Sequence, residues 1–476
     1  MRKAVFSAAA LAAVMVLAHT GLEAGQAVDP TKVDAVFARW TSSTPGCAVG
    51  VGVGGRSVLE KAYGMADLEH DVPNKADTIF EAGSVSKQFT AMAVLLLAAE
   101  GKLSIDDPAR KYVPELPDYG VPLTIRHMLT HTSGLRDWGS LEGIAGWPRT
   151  TRTYTHAHVV EILGMQKALN FTPGSHYSYS NSGYNLAAVI VSRVGGMPFA
   201  EFSQKRIFQP LGMTRTSWRD DFTRIVKDRA IAYSGSGAGL RQDMPFENVH
   251  GNGGLLTTVG DLLKWNENFV SPKVGDAALV ARQQALGKFT SGVTQSYASG
   301  LMVGMYKGLP EVSHSGSTAG YRAFLTRFQD PHVSVAVLCN AGTADATAAA
   351  HAVGDLYLAG KINPNAPRPP AVAETRSPLT AIVRDDSFKP SATELATFTG
   401  TYVSDEIETT LVVEVRNGEL VVKRRPDSVI PLRPHSRDRF DAGGGIGLMT
   451  FHRAGGRVTE VGITQDRVWD LRFRRQ

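Results

Sequence analysis

Residues 80–99, FEAGSVSKQFTAMAVLLLAA, constrain this chain more than any other stretch. Met92, Leu95, Leu96 and Leu97 make the helix apolar almost all round. Such a helix belongs at the centre of a core, and 476 residues are enough to build one large core and two or three domains. Yet a glycine, a serine and a lysine stand at its start. A helix beginning at Ser84 puts Lys87 on the same face one turn later, beside unsatisfied N–H groups and the positive end of the helix dipole. A serine hydroxyl is a poor nucleophile until a neighbour takes its proton, and a lysine can do so only where burial or nearby cations lower its pKa. The apolar run supplies that burial, so Ser84 is the candidate nucleophile and Lys87 its candidate base. Ser-x-x-Lys alone arises by chance about once in a chain this long, and a plain helix cap is the competing reading of Ser84.

Two further stretches bear on the choice. In residues 171–186, FTPGSHYSYSNSGYNL, Pro173 and Gly174 predict a turn and a helix starts near Ser182. Alternate residues of the loop before it point the same way, so Tyr179 and Asn181 are expected to face one cleft. A tyrosine beside a lysine ammonium loses its proton more readily and can serve as base or acid; a core tyrosine with a capping asparagine is the alternative. In residues 312–322, VSHSGSTAGYR, His314 is expected to end a strand, and Gly316 to let a substrate backbone approach. An edge strand there would pair with an extended peptide. The N–H groups of Ser317 and Ser84 together would form an oxyanion hole. His314 by itself reads equally as a satisfied structural histidine.

Helical spacing over residues 29–43 precedes a strand at 47–53, a Gly54-Gly55 turn and a second strand at 57–63. Helical patterns dominate residues 84–270. Strands return at 300–306, 311–315, 322–329 and 333–340, before a helix at 344–358. Strands at both ends with helices between them predict an α/β (α+β) fold, with a central antiparallel sheet made from the two ends, flanking helices and a mostly helical lobe. Residues 28–360 are expected to be the catalytic domain, 361–390 a proline-rich linker and 391–476 a small antiparallel β-barrel with turns at Asn417-Gly418 and residues 454–456.

Residues 1–27 read as a signal peptide: Arg2 and Lys3, an apolar run too short for a transmembrane anchor, then small residues. A periplasmic or secreted protein follows. Cys47 and Cys339 are expected as two buried thiols, with one disulfide as the alternative, and are too few for a zinc cluster. A net charge of +5 with scattered Lys and Arg argues against nucleic acid. His127 with His131 and His156 with His158 lack the glutamate of H-E-x-x-H, and no G-x-S-x-G or P-loop pattern appears, so no metal or other cofactor is expected. Thr258 with Asp261 reads as a capping pair.

Ser-x-x-Lys, Tyr-x-Asn and His-x-Gly, in this order, resemble the three motifs of the serine β-lactamase and penicillin-binding fold. The intervening TIRHMLTHTSGL (124–135), PLGMT (210–214) and GNGGLLTTVGDLL (251–263) are similar to that family too, and the likeness covers residues 33–358. Within the family the look is that of class C β-lactamases, D-alanyl-D-alanine carboxypeptidases, D-aminopeptidases and related esterases. The tail after Ser391 resembles the lipocalin-like domain some of them carry. The resemblance implies Ser84 as the acylated nucleophile, Lys87 as its proton acceptor and Tyr179 as base or acid for the leaving group and deacylating water. It implies an oxyanion hole at Ser84 and Ser317, with substrate contacts at Asn181, His314 and Gly316. Histidine at position 314, where β-lactamases of this group usually have lysine, argues against efficient antibiotic hydrolysis. The implied activity is that of a serine hydrolase on D-amino-acid peptides or amides, including peptidoglycan-derived ones. A carboxylesterase, a β-lactamase and a non-catalytic wall-peptide receptor are the alternatives.

Overall fold

Valine and glycine alternate through strand β1 (Cys47–Val53, CAVGVGV) because its two faces meet different neighbours. The computed structural model describes residues 28–149, 151–367, 377–425 and 427–476; the expected signal peptide, residues 1–27, lies outside these, as do residues 368–376 of the expected linker. Five helices frame the sheet and the site: α1 (Pro30–Phe37), α2 (Lys87–Ala99), α3 (Asn181–Gly195), α4 (Val259–Glu267) and α5 (Ala346–Tyr357). Val49 and Val51 join Val33 and Phe37 of α1 and Ala350 and Val353 of α5 in one buried cluster. On the opposite face a Cβ at Gly50 would stand 3.0 Å from the Cβ of Val259, so glycine there is what lets α4 close onto the sheet.

Strand β2 (Arg56–Tyr63) follows β1, and β3 (Met302–Tyr306), β4 (Leu309–Thr318), β5 (Tyr321–Phe328) and β6 (Val333–Cys339) come from the far end of the region. The order is β3-β4-β5-β6-β1-β2, antiparallel throughout. The chain ends are therefore joined at β1 and β6, as the alternation of strands and helices predicts.

That pairing corrects one expectation. Cys47 and Cys339 are a disulfide, not two thiols. Both were expected in strands, but spacing along the chain carries no information on which strands adjoin. The register sets Cys47 directly opposite Cys339, with Cα atoms 3.9 Å apart.

The apolar helix takes the central place its composition demands: every α2 residue from Lys87 to Leu97 is buried, and the Phe89 ring packs, tilted, 4.2 Å from that of Trp265 of α4. Eight strands between Gly400 and Arg475 close into an antiparallel barrel, the first (Gly400–Ser404) pairing with the last (Val468–Arg475). Tyr402, Leu411, Val422, Phe440, Phe451 and Phe473 are among the side chains buried in it. Asn417 and Gly418 both have positive φ, 51° and 80°, the shape that a two-residue hairpin requires. Among the described residues no single helix is long and apolar enough to cross a membrane.

Candidate active site

The strand Phe80–Glu81 pairs with Leu255–Thr257, and the N–H of Ala82 donates to Leu255 O at 2.8 Å. Gly83 then turns at φ 51°, where a Cβ would stand 2.6 Å from the amide nitrogen of Ser317. This close approach brings Ser84 and Ser317 to one place. The helix enters through a tight turn, Gly83–Ser86, with Ser86 Oγ donating back to Gly83 O at 2.5 Å, and becomes α-helical at Lys87.

Lys87 Nζ lies 3.1 Å from Ser84 Oγ, 3.0 Å from Asn181 Oδ1 and 2.6 Å from the carbonyl of Asn252. The lysine is fully buried. Burial pushes its pKa well below the usual lysine range, the guanidinium groups of Arg467 and Arg149 push it further, and Asp137 opposes them. In its unprotonated form the amine keeps two N–H donors for Asn181 and Asn252 and turns its lone pair to Ser84.

Tyr179 and Asn181 are held by two residues outside the three motifs, His131 and Asp137. The Ser178 and Ser180 amides donate to His131, at its carbonyl (3.0 Å) and its Nδ1 (3.2 Å), and the Asn181 amide donates to Asp137 Oδ2 at 2.7 Å. The His131 ring packs 4.2 Å from that of Tyr179, and Lys87 Nζ sits 4.8 Å from the Tyr179 centroid. Helix α3 starts at Asn181 and Ser180 is its cap. The tyrosine was expected to ionise more easily beside the lysine. Instead burial outweighs the hydrogen bond from Ser84 and the charge of Arg467, and its pKa is pushed up to about 12. The phenol is therefore a proton donor in the resting site.

Strand β4 does not end at His314 but runs to Thr318. It is second in the sheet, yet β3 accompanies it only to Ser313, so residues 314–318 have an open edge toward the cleft. His314 is buried and bonded within the chain on both ring nitrogens: Nδ1 donates to Ser315 O at 2.6 Å and Nε2 accepts from the Tyr297 hydroxyl at 2.8 Å. Burial and the Lys87 charge lower its pKa to about 3, so the ring is neutral in ordinary buffers. At Gly316 the close approach is made by the chain itself, because a Cβ there would meet Ala82 O at 2.0 Å.

Ser84, Tyr179, Asn181, His314 and Ser317 line one cleft of about 310 Å³, with Lys87 beneath it. Arg149 and Arg467 also reach it. Arg149, itself part-exposed, opens a chain of charges that is buried from Glu247 onward: it pairs with Glu247, Glu247 lies 3.8 Å from Arg219, and Arg219 forks onto Glu81 at 2.8 and 3.1 Å. Arg467 comes from the barrel, in the turn after the strand Arg457–Gln465. Thr258 caps α4 by accepting from Asp261 N, while His127 and His158 close capping boxes at their own helices. Asp67, Glu69 and His70 are near enough to share an ion, but they are not among the cleft residues and no ligand chemistry follows from an exposed turn.

A family model described as Beta-lactamase matches residues 32–358. Penicillin-binding protein 4* of Bacillus subtilis (strain 168) is 29% identical over 316 residues, 60% of this chain and 66% of that protein. A D-aminopeptidase of Cereibacter sphaeroides (strain ATCC 17029 / ATH 2.4.9) is 29% identical over 329 residues, 68% of this chain and 61% of that one. The match thus spans a little under two thirds of the length of these relatives. Among solved structures, the octameric penicillin-binding protein homologue from Pyrococcus abyssi has a TM-score of 0.62 at 24% identity, covering 94% of this chain and 99% of that chain. That coverage extends past the family match into the barrel.

Proposed function

The chain belongs to the Beta-lactamase family, and we propose that it is an exported serine hydrolase that forms an acyl-enzyme on Ser84 and releases it to water. We take residues 28–360 as its catalytic unit, 391–476 as an appended barrel, and D-amino-acid peptides or amides as its substrates. The observation that carries this reading is the buried Lys87 amine, 3.1 Å from Ser84 Oγ with its other two partners both acceptors.

Lys87 takes the hydroxyl proton as Ser84 Oγ attacks the substrate carbonyl, and the N–H groups of Ser84 and Ser317 receive the oxyanion. Tyr179 gives its proton to the departing nitrogen and regains one from the Lys87 ammonium, so the serine's proton leaves on the amine. Water then enters in place of the amine, passes a proton back by the same groups and frees Ser84. Asn181 turns its Oδ1 to Lys87, which leaves its Nδ2 to donate to a substrate carbonyl. The D-stereochemistry rests on the relatives named D-aminopeptidase.

The test is release of p-nitroaniline from matched D-alanine and L-alanine p-nitroanilides by the wild-type protein and its Ser84→Ala variant. Cleavage of the D form, lost in the variant, is expected. Cleavage of neither overturns the amidase reading. Intact mass after exposure to a β-lactam then separates an esterase, which sheds the adduct, from a receptor, which keeps it.

A further inference from the structure

We propose that Arg467, carried into the cleft by the C-terminal barrel, is a specificity-determining residue that binds a carboxylate on the leaving-group side of the substrate. The inference rests on the hydrolase reading for what is cleaved, and on the geometry of one turn for what is bound.

The turn is anchored. Arg467 O accepts from the Asp137 amide at 3.2 Å and from Asn170 Nδ2 at 3.0 Å. Asn170 Oδ1 in turn accepts from the Trp469 amide at 2.8 Å, Ser178 Oγ donates to Asp466 O at 3.3 Å, and the Trp469 ring packs 4.9 Å from Phe171. A backbone held at both sides of Arg467 gives its side chain a defined origin.

The guanidinium itself is free. Its Cζ lies 4.8 Å from the Tyr179 ring centroid, and among the described residues it makes no hydrogen bond or ion pair. The other basic side chains here are provided for: Arg149 at the cleft by Glu247, Lys87 beneath it by three acceptors. Asp137, whose charge acts on Lys87, spends its oxygens on the amides of Ser140 and Asn181. A half-buried guanidinium without a partner, at the wall of a cleft, is a receptor for a planar anion, which it can grip with two parallel N–H donors.

Its position selects the end of the substrate. Tyr179 is the group that protonates the departing amine, and Arg467 lies over that ring, so the anion it meets is on the departing half. A free α-carboxylate one residue beyond the scissile amide has the required chemistry. Arg467 also lines a second cavity, of about 670 Å³, at the barrel mouth, so the guanidinium is reached from outside the cleft as well.

The experiment uses the full chain carrying Ser84→Ala, so that binding is read without turnover. Calorimetry with N-acetyl-D-alanyl-D-alanine and with its C-terminal amide is expected to give roughly tenfold to hundredfold tighter binding of the acid, the range for one hydrogen-bonded charge pair. Adding Arg467→Gln should erase the difference while leaving the affinity for the amide as it was, and Arg467→Lys should keep part of it. A general loss of structure would move both ligands together. Equal affinities in the Ser84→Ala protein, a preference that survives Arg467→Gln, or binding of neither ligand overturns the proposal. The hydrolase reading fails on a different result, the absence of Ser84-dependent turnover in the wild type.

Discussion

Replacing Lys87 by alanine is expected to lower kcat/KM by roughly 10²–10⁴, the usual worth of a general base, while Ser84→Ala abolishes turnover. The size follows from the surroundings. The two other titratable side chains named for the cleft do not replace it at neutral pH: Tyr179 holds its own proton up to about 12, and His314 has both ring nitrogens committed elsewhere. Lys87→Arg is the sharper variant, since it keeps donors for Asn181 and Asn252 but never becomes a free base. It should be as inactive as Lys87→Ala in single-turnover acylation, and an active Arg variant would sink the assignment. The pH profile carries the same logic. The reactive form is the unprotonated amine, so acylation rises with pH through the Lys87 pKa. Burial, Arg467 and Arg149 hold that pKa down, so Arg467→Gln removes a cation and should move the acid limb to higher pH. A limb that stays in place would remove Arg467 from the electrostatics of the site.

How much of this was legible in the chain depended on whether the information was local. Ser84 and Lys87 are one helical turn apart, Tyr179 and Asn181 alternate on one extended loop, and the barrel turn at Asn417-Gly418 is a dipeptide signal, so each could be read from a few adjacent residues. The Cys47–Cys339 bond could not, because it depends on which strands adjoin. Asn252 and His131 lie inside stretches that resemble the family, but the first acts through its carbonyl and the second through its ring and backbone, neither of which residue type advertises. Asp137 reads as an ordinary helix cap, and one of its oxygens is one; the other reaches the Asn181 amide. Arg467 has no local signal at all. It is one arginine among many in a barrel, and only the docking of the barrel turns it toward Tyr179. The easier ionisation expected of Tyr179 failed for a different reason, since proximity to a cation is visible in a motif and desolvation is not.

Adjacent residues at that docking surface should behave oppositely. Glu406 is expected to cost about 3–5 kcal/mol when replaced by alanine, and Asp405 nothing that a melting curve resolves. Both are acids on the barrel, and both pair with the first part of the chain. Glu406 Oε2 accepts from Arg136 Nη1 at 2.7 Å and from the Lys167 amide at 2.7 Å, while its backbone carbonyl accepts from Gln166 Nε2 at 2.7 Å. The Arg136 and Glu406 side chains are only 2% and 7% exposed, so deleting the carboxylate strands a guanidinium out of water. Asp405 meets Lys167 and Arg474 with all three side chains more than half exposed, and water replaces what is lost. The same Arg136 donates through Nη2 to the carbonyls of Trp469 and Asp470, next to the turn that carries Arg467. Glu406→Ala should therefore lower the melting temperature, separate barrel unfolding from that of the rest, and weaken the acid-over-amide preference assigned to Arg467. Asp405→Ala should do none of these. Equal melting temperatures for the two variants would mean that the buried pair does not hold the barrel in place, and that the position of Arg467 depends instead on Asn170, Asp137 and the Trp469 ring.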